Sequence, residues 1–262
     1  MPPPRCPGAT CRLSISASRV VLGQAATKPA WRVSLHAAKT SLTLGQKVRL
    51  EGHVSKGSAG LLVALQERGA PGQPWRFQRQ ARVHADGTFT TYDVPTRNTT
   101  RSYRVVMPRT KHRLRGVSPI VTVGVYEWTQ LTSLPPVNEN FLDVVPSVSM
   151  NGVDYPASLE ATTFHPNGPT TQSVEFNLDR LCTQFRGTFG LSDDSVASSQ
   201  ASVTASADST PWFSQTFSVG DSTPNAVTFA TPPLKVSFNT ASLVTDLDGF
   251  GAVGTPEVFC TR

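Results

Sequence analysis

The sequence lacks long hydrophobic runs, and it has few charged residues and little methionine. No stretch of its 262 residues approaches the roughly 18–20 consecutive apolar residues of a membrane span, so we expect no membrane insertion. Charged residues make up 16% of the chain and Met occurs 3 times, against 21 Pro and 19 Gly. This composition favours short strands joined by turns over a helical bundle. The predicted fold class is therefore all-β.

Motifs that carry catalysis are also missing. The chain has no Gly-x-Ser-x-Gly elbow for a nucleophile, no His-Glu-x-x-His zinc motif and no phosphate-binding loop. Its acidic residues would supply the paired carboxylates of a glycosidase only if the fold brought two of them together, which spacing along the chain does not show. We therefore predict a protein that is not an enzyme.

Acidic residues are scarce in the first half of the chain. Residues 1–128 hold 20 of the 24 Lys and Arg residues but five of the 18 Asp and Glu residues, whereas residues 129–262 hold four and 13. This switch predicts an irregular N-terminal segment at 1–30 and two domains, 31–127 and 129–262. A linker is expected over 128–136, where a Leu-Pro-Pro sequence interrupts any strand.

The excess of positive charge has two interpretations, which the sequence leaves open. Either the basic half contacts an anionic wall polymer, or its arginines form a solvated surface. Nucleic acid is not an expected partner, because the basic residues are spread over several predicted strands without a basic helix or a known binding motif. The residues expected to contact an anionic polymer are Lys111, Arg113 and Arg115, which lie in a dense basic cluster between two predicted strands.

Cysteine is scarce as well, and the four residues fall into two separate pairs. Cys182 and Cys260 are 78 positions apart, and a bond between them would imply an oxidising compartment. The alternative is two buried free thiols. Cys6 and Cys11 have the spacing of neither a redox Cys-x-x-Cys motif nor a complete zinc site, so their pairing stays open.

The N-terminal segment has no apolar run of the kind that forms the centre of a secretory signal peptide, although a disulfide would require export. Residues 13–24 end in Leu-Gly-Gln and are echoed by residues 35–46, which have the same ending. We therefore expect the chain to begin inside, or just after, a truncated upstream copy of the same module. The expected location is outside the cell or at its surface, although the chain carries no signal peptide.

The region 31–127 has a clear two-residue hydrophobic period. Apolar and polar residues alternate over 47–54, and similar segments recur to give about seven predicted strands, a count typical of an immunoglobulin-like sandwich. The region resembles the immunoglobulin-like modules of bacterial surface proteins at Leu44-Gly-Gln-Lys-Val-Arg-Leu-Glu-Gly52, Asp86-Gly-Thr-Phe89 and Tyr103-Arg-Val105. The resemblance implies a spacer or an adhesive stalk.

The region 129–262 again shows alternating strands, here separated by longer turns, and a jelly roll is the favoured topology. Four blocks, at 151–159, 174–178, 182–193 and 254–260, resemble in order and spacing the NPCBM family of carbohydrate-binding modules. The resemblance implies a galactose-binding-like jelly roll of the kind attached to secreted hydrolases. It also supports pairing Cys182 with Cys260.

Sugar recognition needs an aromatic face and planar hydrogen-bonding groups. The candidates in polar, loop-like surroundings of the second region are Trp212, Phe250, Asp193, Asp194, Asp208 and Asn225. The alternative is that Trp212 packs at a strand edge and the aspartates cap turns. The run Thr245-Asp-Leu-Asp-Gly249 places oxygen ligands at alternate positions, so it is either a site for a structural cation such as calcium or a plain turn. No other cofactor is expected.

Together these features predict a non-catalytic, exported carbohydrate-binding protein. An immunoglobulin-like spacer would present a jelly-roll module to a glycan or a cell-wall polysaccharide. Two alternatives stay open: a structural surface or adhesion protein without sugar binding, and an accessory fragment of a larger secreted glycoside hydrolase.

Overall fold

The computed structural model describes residues 28–162, 171–244 and 247–262. These residues form strands and one 3₁₀ turn, Leu131–Ser133, and they contain no α-helix, so the all-β prediction is confirmed. Within these ranges no helix has the length and apolar character needed to cross a membrane. The strands are β1 His36–Ala37, β2 Ser41–Thr43, β3 Val48–His53, β4 Leu62–Arg68, β5 Arg76–Arg82, β6 Thr88–Asp93, β7 Arg101–Met107, β8 Gly116–Val117, β9 Val121–Gln130, β10 Pro136–Asn140, β11 Leu142–Met150, β12 Val153–Ala161, β13 Thr171–Asn177, β14 Cys182–Leu191, β15 Gln200–Ala207, β16 Thr210–Ser218, β17 Ser222–Thr228, β18 Lys235–Ser242 and β19 Gly251–Cys260.

The N-terminal half has two sheets around one core. Strands β1, β3 and β6 form one sheet, and the other runs β9-β7-β4-β5, with β2 paired to β9 and β8 paired to β7. The alternation in β3 buries Val48, Leu50 and Gly52 and leaves Arg49 exposed, as a half-buried strand requires. Gly52 lies under the ring of Phe89, where a Cβ would come within 2.5 Å of Cζ.

The C-terminal half has its own core. One layer is the sheet β10-β13-β18-β15-β16, and strands β11, β12, β19, β14 and β17 form the other. Phe185, Phe189 and Phe238 are fully buried between the layers, with ring centroids 5.6–6.3 Å apart. Apolar alternation on both layers therefore produces a second hydrophobic core, separate from that of the N-terminal half.

Strand β9 connects the two halves. Its first part pairs with β7 and β2, and its last four residues pair with β19 in the register Glu127↔Cys260 to Gln130↔Glu257. The segment expected to be a linker, 128–136, instead continues this strand, makes a 3₁₀ turn anchored by the buried Leu131, and starts β10 at Pro136. Proline is tolerated there because it is the first residue of an edge strand.

A disulfide joins Cys182 of β14 to Cys260 of β19, two residues that lie opposite each other in the strand register. Cys6, Cys11 and the repeat at 13–24 lie outside the described residues, as do Thr245 and Asp246 of the candidate cation run. Among the described residues, no group of three or more His, Cys, Asp or Glu side chains is arranged to hold a metal ion.

Candidate functional site

Trp212 lies inside strand β16 rather than in a loop. Its ring is half-buried and contacts the rings of Phe185 at 5.7 Å, Phe229 at 5.5 Å and Phe238 at 6.0 Å between centroids. The indole Nε1 is buried without a hydrogen-bond partner in the described part of the chain. These contacts make Trp212 part of the core packing, in line with the alternative interpretation given above.

Two of the candidate aspartates hold turns. Asp193 accepts hydrogen bonds from the N–H groups of Asn151 and Gly152, both at 2.9 Å. Asp208 accepts from the N–H groups of Leu234 and Lys235 at 2.9 and 3.1 Å, and these hydrogen bonds lower its pKa. A sugar hydroxyl would have to compete with backbone donors for both carboxylates.

The turn at Asp208 also explains why Trp212 is in a strand. Asp208 and Ser209 both have positive φ, 46° and 70°, and they connect Ala207 to its cross-strand partner Thr210. Positive φ at both central residues is the geometry of a two-residue type I′ hairpin turn. Because the hairpin turn takes up only these two residues, strand β16 already contains the tryptophan.

Two further candidates, Phe250 and Asp194, lie near each other in the fold. Phe250 packs against the core and its N–H donates to Ser195 Oγ at 3.0 Å. Asp194 is exposed and lies close to Glu160. Burial raises the pKa of the Glu160 carboxyl, and the negative charge of Asp194 raises it further, against a hydrogen bond from Ser192.

A different surface gathers polar side chains on the outer face of the β17-β14-β19 sheet. Arg186 lies opposite both Glu257 and Ala226, and Thr188 lies opposite both Gly254 and Pro224. Cross-strand partners share one face of a sheet, so these residues form a continuous surface. It holds a shallow depression of about 520 Å³, lined by Tyr155, Arg186, Gly187, Thr188, Pro224, Asn225, Ala226, Gly254, Thr255 and Glu257.

Tyr155 forms the aromatic side of this depression. It is half-exposed and packs on Val148, Met150 and Ala252. The absence of a side chain at Gly254 makes this position possible, because a Cβ there would lie 2.5 Å from Tyr155 Cγ and 2.8 Å from Met150 Cε. The ring is therefore fixed by packing while part of it stays accessible.

The charged side of the depression is the pair Arg186 and Glu257. Arg186 Nε donates to Glu257 Oε2 at 2.6 Å, and its guanidinium lies 4.2 Å above the ring of Trp128. Trp128 in turn packs on Phe259, which stacks with Tyr126 at 5.3 Å. An aromatic row thus continues from the depression across β19 and β9, and it fixes the guanidinium in place.

Of the six sugar candidates, Asn225 is the one that lines this depression. It lies opposite Gly187, so its side chain is on the inner face of the sheet with Phe185 and not on the outer face with Arg186, and its Oδ1 is buried without a partner among the described residues. The residues predicted from the sequence did not include Tyr155, Arg186, Thr188 and Glu257. Their signal was available, because they occupy polar or aromatic positions in strands that otherwise alternate with core residues.

The three basic candidates are not equivalent. Arg113 is half-buried, lies 4.7 Å above the ring of Trp31 and donates to Ser55 Oγ at 3.5 Å. Lys111 and Arg115 are exposed. Burial lowers the pKa of Arg104, and the neighbouring positive charges of Arg115 and Arg68 lower it further.

Comparison with models of protein families gives no match, and no curated protein is detectably similar in sequence. The resemblance of the four blocks in the second region to the NPCBM family therefore stays a prediction from those residues.

Proposed function

We propose that the protein is a non-catalytic, exported carbohydrate-binding protein whose C-terminal half binds a glycan on the outer face of the β17-β14-β19 sheet. The observation that carries this proposal is the depression between Tyr155 and the Arg186–Glu257 pair. The finer assignment of the two halves, an immunoglobulin-like spacer and a galactose-binding-like jelly roll, is part of the same proposal. Two cores, each between two sheets, support it.

The chemistry of the depression suits a sugar chain. An accessible tyrosine ring offers an apolar surface to the C–H groups of a pyranose, and a guanidinium and a carboxylate offer planar donors and acceptors to its hydroxyls. Thr188 also lines the depression and adds a hydroxyl group. Because the surface is shallow and open, a polysaccharide can lie across it without an end having to enter a pocket.

We expect the protein to bind at least one neutral polysaccharide through the outer face of the β17-β14-β19 sheet, in a pull-down panel of cellulose, chitin, xylan and galactan. The double variant Arg186→Ala/Glu257→Ala should weaken this retention about tenfold or more, because it removes both polar groups and leaves neither charge unpaired. The apparent dissociation constant from depletion isotherms measures the effect.

A matched control exists on the opposite sheet. Lys235 and Glu175 form a similar pair at 2.7 Å, with side chains 39% and 24% exposed against 48% and 22% for Arg186 and Glu257. The variant Lys235→Ala/Glu175→Ala should bind like the wild type. If both double variants bind equally well, the face is not the site. Wild-type protein that binds no neutral glycan would favour the structural or adhesion alternative over the lectin.

Charge on the N-terminal half favours a second activity, adhesion to an anionic wall polymer. Replacing Lys111 and Arg115 by Ser should weaken adsorption to a teichoic-acid-like polyphosphate resin at low salt. Adsorption of the wild type should fall steeply between 0.1 and 1 M salt, because the Debye length shrinks from about 10 to about 3 Å. Arg113 is left in place because it packs on Trp31. The exposed pair Lys39 and Lys56, each changed to Gln, is the control for loss of charge alone. Equal weakening by both variants would mean a diffuse charged surface.

The proposed location outside the cell rests on the disulfide, because such bonds persist in oxidising compartments. The alternative that the chain is an accessory part of a larger secreted hydrolase makes the same prediction for glycan binding. It differs in requiring a catalytic partner on the same polypeptide.

A further inference from the structure

A second depression, also about 520 Å³, lies at the end of the N-terminal half, where the loops β4–β5 and β6–β7 meet Arg262, two residues after the end of β19. The two halves are in contact here, since Arg262 N–H donates to the carbonyl of Asn98 at 2.5 Å and Thr261 Oγ1 to the same oxygen at 3.3 Å. Among the described residues that line it, five are arginines: Arg68, Arg76, Arg97, Arg101 and Arg262.

The depression has little negative charge to balance these cations. Glu67 supplies the one side-chain carboxylate among the described lining residues. It is bound to Arg101, with Nη1 and Oε2 3.0 Å apart and the two side chains only 12% and 10% exposed. The other four guanidiniums that line the depression have no carboxylate partner in the described part of the chain.

Two of the guanidiniums also have unused donors. The Nε atoms of Arg68 and Arg101 are buried and have no hydrogen-bond acceptor among the described residues. A buried donor without an acceptor is costly, and more so when it carries charge. An anion bound in the depression, which both side chains line, would balance the charge of these guanidiniums.

Two of the five arginines, Arg68 and Arg101, are fixed in place before any ligand arrives. Arg68 lies 4.6 Å from the ring of Trp75, on which Arg104 also packs at 4.2 Å. Arg101 is held by Glu67. Preorganised guanidiniums bind oxyanions well, because each presents parallel N–H donors to two oxygens and little side-chain entropy is lost.

We propose that this depression binds a tetrahedral oxyanion, a phosphate or sulfate group, either as a free ion or carried on a polysaccharide. Thr96, Thr99 and Gln73 line it as well and supply neutral polar groups beside the cations. Only the polymeric form of the ligand rests on the proposed adhesion function. Neither Lys111 nor Arg115 lines the depression, and it shares no lining residue with the glycan face.

A polysaccharide is favoured over a nucleic acid as the carrier. Binding of single-stranded nucleic acid uses aromatic rings on which bases stack. The nearest ring, that of Trp75, already carries the guanidiniums of Arg68 and Arg104. Among the described residues, the depression therefore offers charge and hydrogen-bond donors to an oxyanion but no aromatic ring in its lining on which a base could stack.

The test uses the full chain and sodium sulfate or phosphate, titrated calorimetrically against sodium chloride at equal ionic strength. Wild-type protein should bind one sulfate or phosphate, and Arg76→Gln/Arg97→Gln should weaken it about tenfold or more. Both arginines are exposed and neither donates a side-chain hydrogen bond in the described structure, so this variant should keep the wild-type melting temperature. Lys39→Gln/Lys56→Gln, which removes the same charge from the same half, should bind like the wild type.

Two further arms identify the carrier. Dextran sulfate should compete with inorganic sulfate for the site, and neutral dextran should not. No heat of binding, or equal weakening by the two double variants, would overturn the site. An oligonucleotide of equal charge that binds more tightly than dextran sulfate, and is weakened by Arg76→Gln/Arg97→Gln, would overturn the polysaccharide carrier. Retention on neutral glycans is measured on the same variants, so failure here is distinguishable from failure of the proposed lectin function.

Discussion

Reduction of the Cys182–Cys260 disulfide is expected to destabilise the protein strongly. The bond closes a loop of 78 residues, for which loop-closure entropy in the unfolded chain gives about 4.5 kcal/mol as an upper value, and losses of about 2–4 kcal/mol are typical. The loss of unfolding free energy falls on the C-terminal half, because β14 and β19 are central strands of its layer β11-β12-β19-β14-β17. Urea denaturation with and without a phosphine reductant measures it.

The control separates this bond from the other cysteines. In a Cys6→Ser/Cys11→Ser variant, reductant can act only on Cys182 and Cys260, so the shift of the urea midpoint should be retained. In a Cys182→Ser/Cys260→Ser variant, reductant should leave the midpoint unchanged. The mass of alkylated, non-reduced protein counts the free thiols. Alkylation of both Cys182 and Cys260 in material from an oxidising compartment would contradict the bond and, with it, the proposed location.

Local patterns predicted most of the strands. Alternation over 47–54 indicates β3, and the structure buries the apolar positions as expected. The Asp-Gly signal at Asp86 and Gly87 indicates a turn, and Asp86 there accepts hydrogen bonds from the N–H and hydroxyl of Thr88 at 2.9 and 2.7 Å. These features depend on residues close together in the chain, and single-sequence patterns report such relations well.

The candidate site was harder to predict because it depends on pairing between distant strands. Polar neighbours of Trp212 suggested an exposed loop, but a two-residue turn at Asp208 places the tryptophan inside a strand that faces the core. Arg186 and Glu257 are 71 residues apart and meet only because β14 pairs with β19. Register between distant strands is set by packing of the whole sheet, and no local pattern contains it.

The oxyanion pocket shows the same limitation. Arg97 precedes β7 and Arg262 follows β19, and the pocket exists because the ends of these strands meet where the two halves share one sheet. The positive charge lies in the first half of the chain, where Lys111, Arg113 and Arg115 are the contacts predicted from the sequence. The density of charge along the chain favoured that loop, whereas five guanidiniums come together in space at the pocket that Arg97 and Arg262 line.

Removal of the Glu67 carboxylate is expected to destabilise the N-terminal half strongly. Glu67 and Arg101 form a pair at 3.0 Å in which both side chains are nearly buried. Glu67→Ala would leave the Arg101 charge buried without its partner, which costs about 3 kcal/mol or more. Nearby, the Tyr103 hydroxyl donates to Asp93 Oδ2 at 2.8 Å, and burial raises its pKa, which marks this part of the core as poorly solvated.

The control for Glu67 is an exposed pair of the same two residue types in the same half. Arg49 and Glu51 are 2.6 Å apart, with side chains 63% and 32% exposed. Glu51→Ala should cost less than about 1 kcal/mol, because water and salt already screen that pair. Urea denaturation of both variants gives the comparison, and equal losses of unfolding free energy would show that Arg101 is solvated after all.

Sulfate adds a second, independent readout. An oxyanion in the pocket would supply the negative charge that Glu67→Ala removes, so sulfate should raise the melting temperature of Glu67→Ala more than that of the wild type. Glu51→Ala should respond to sulfate like the wild type.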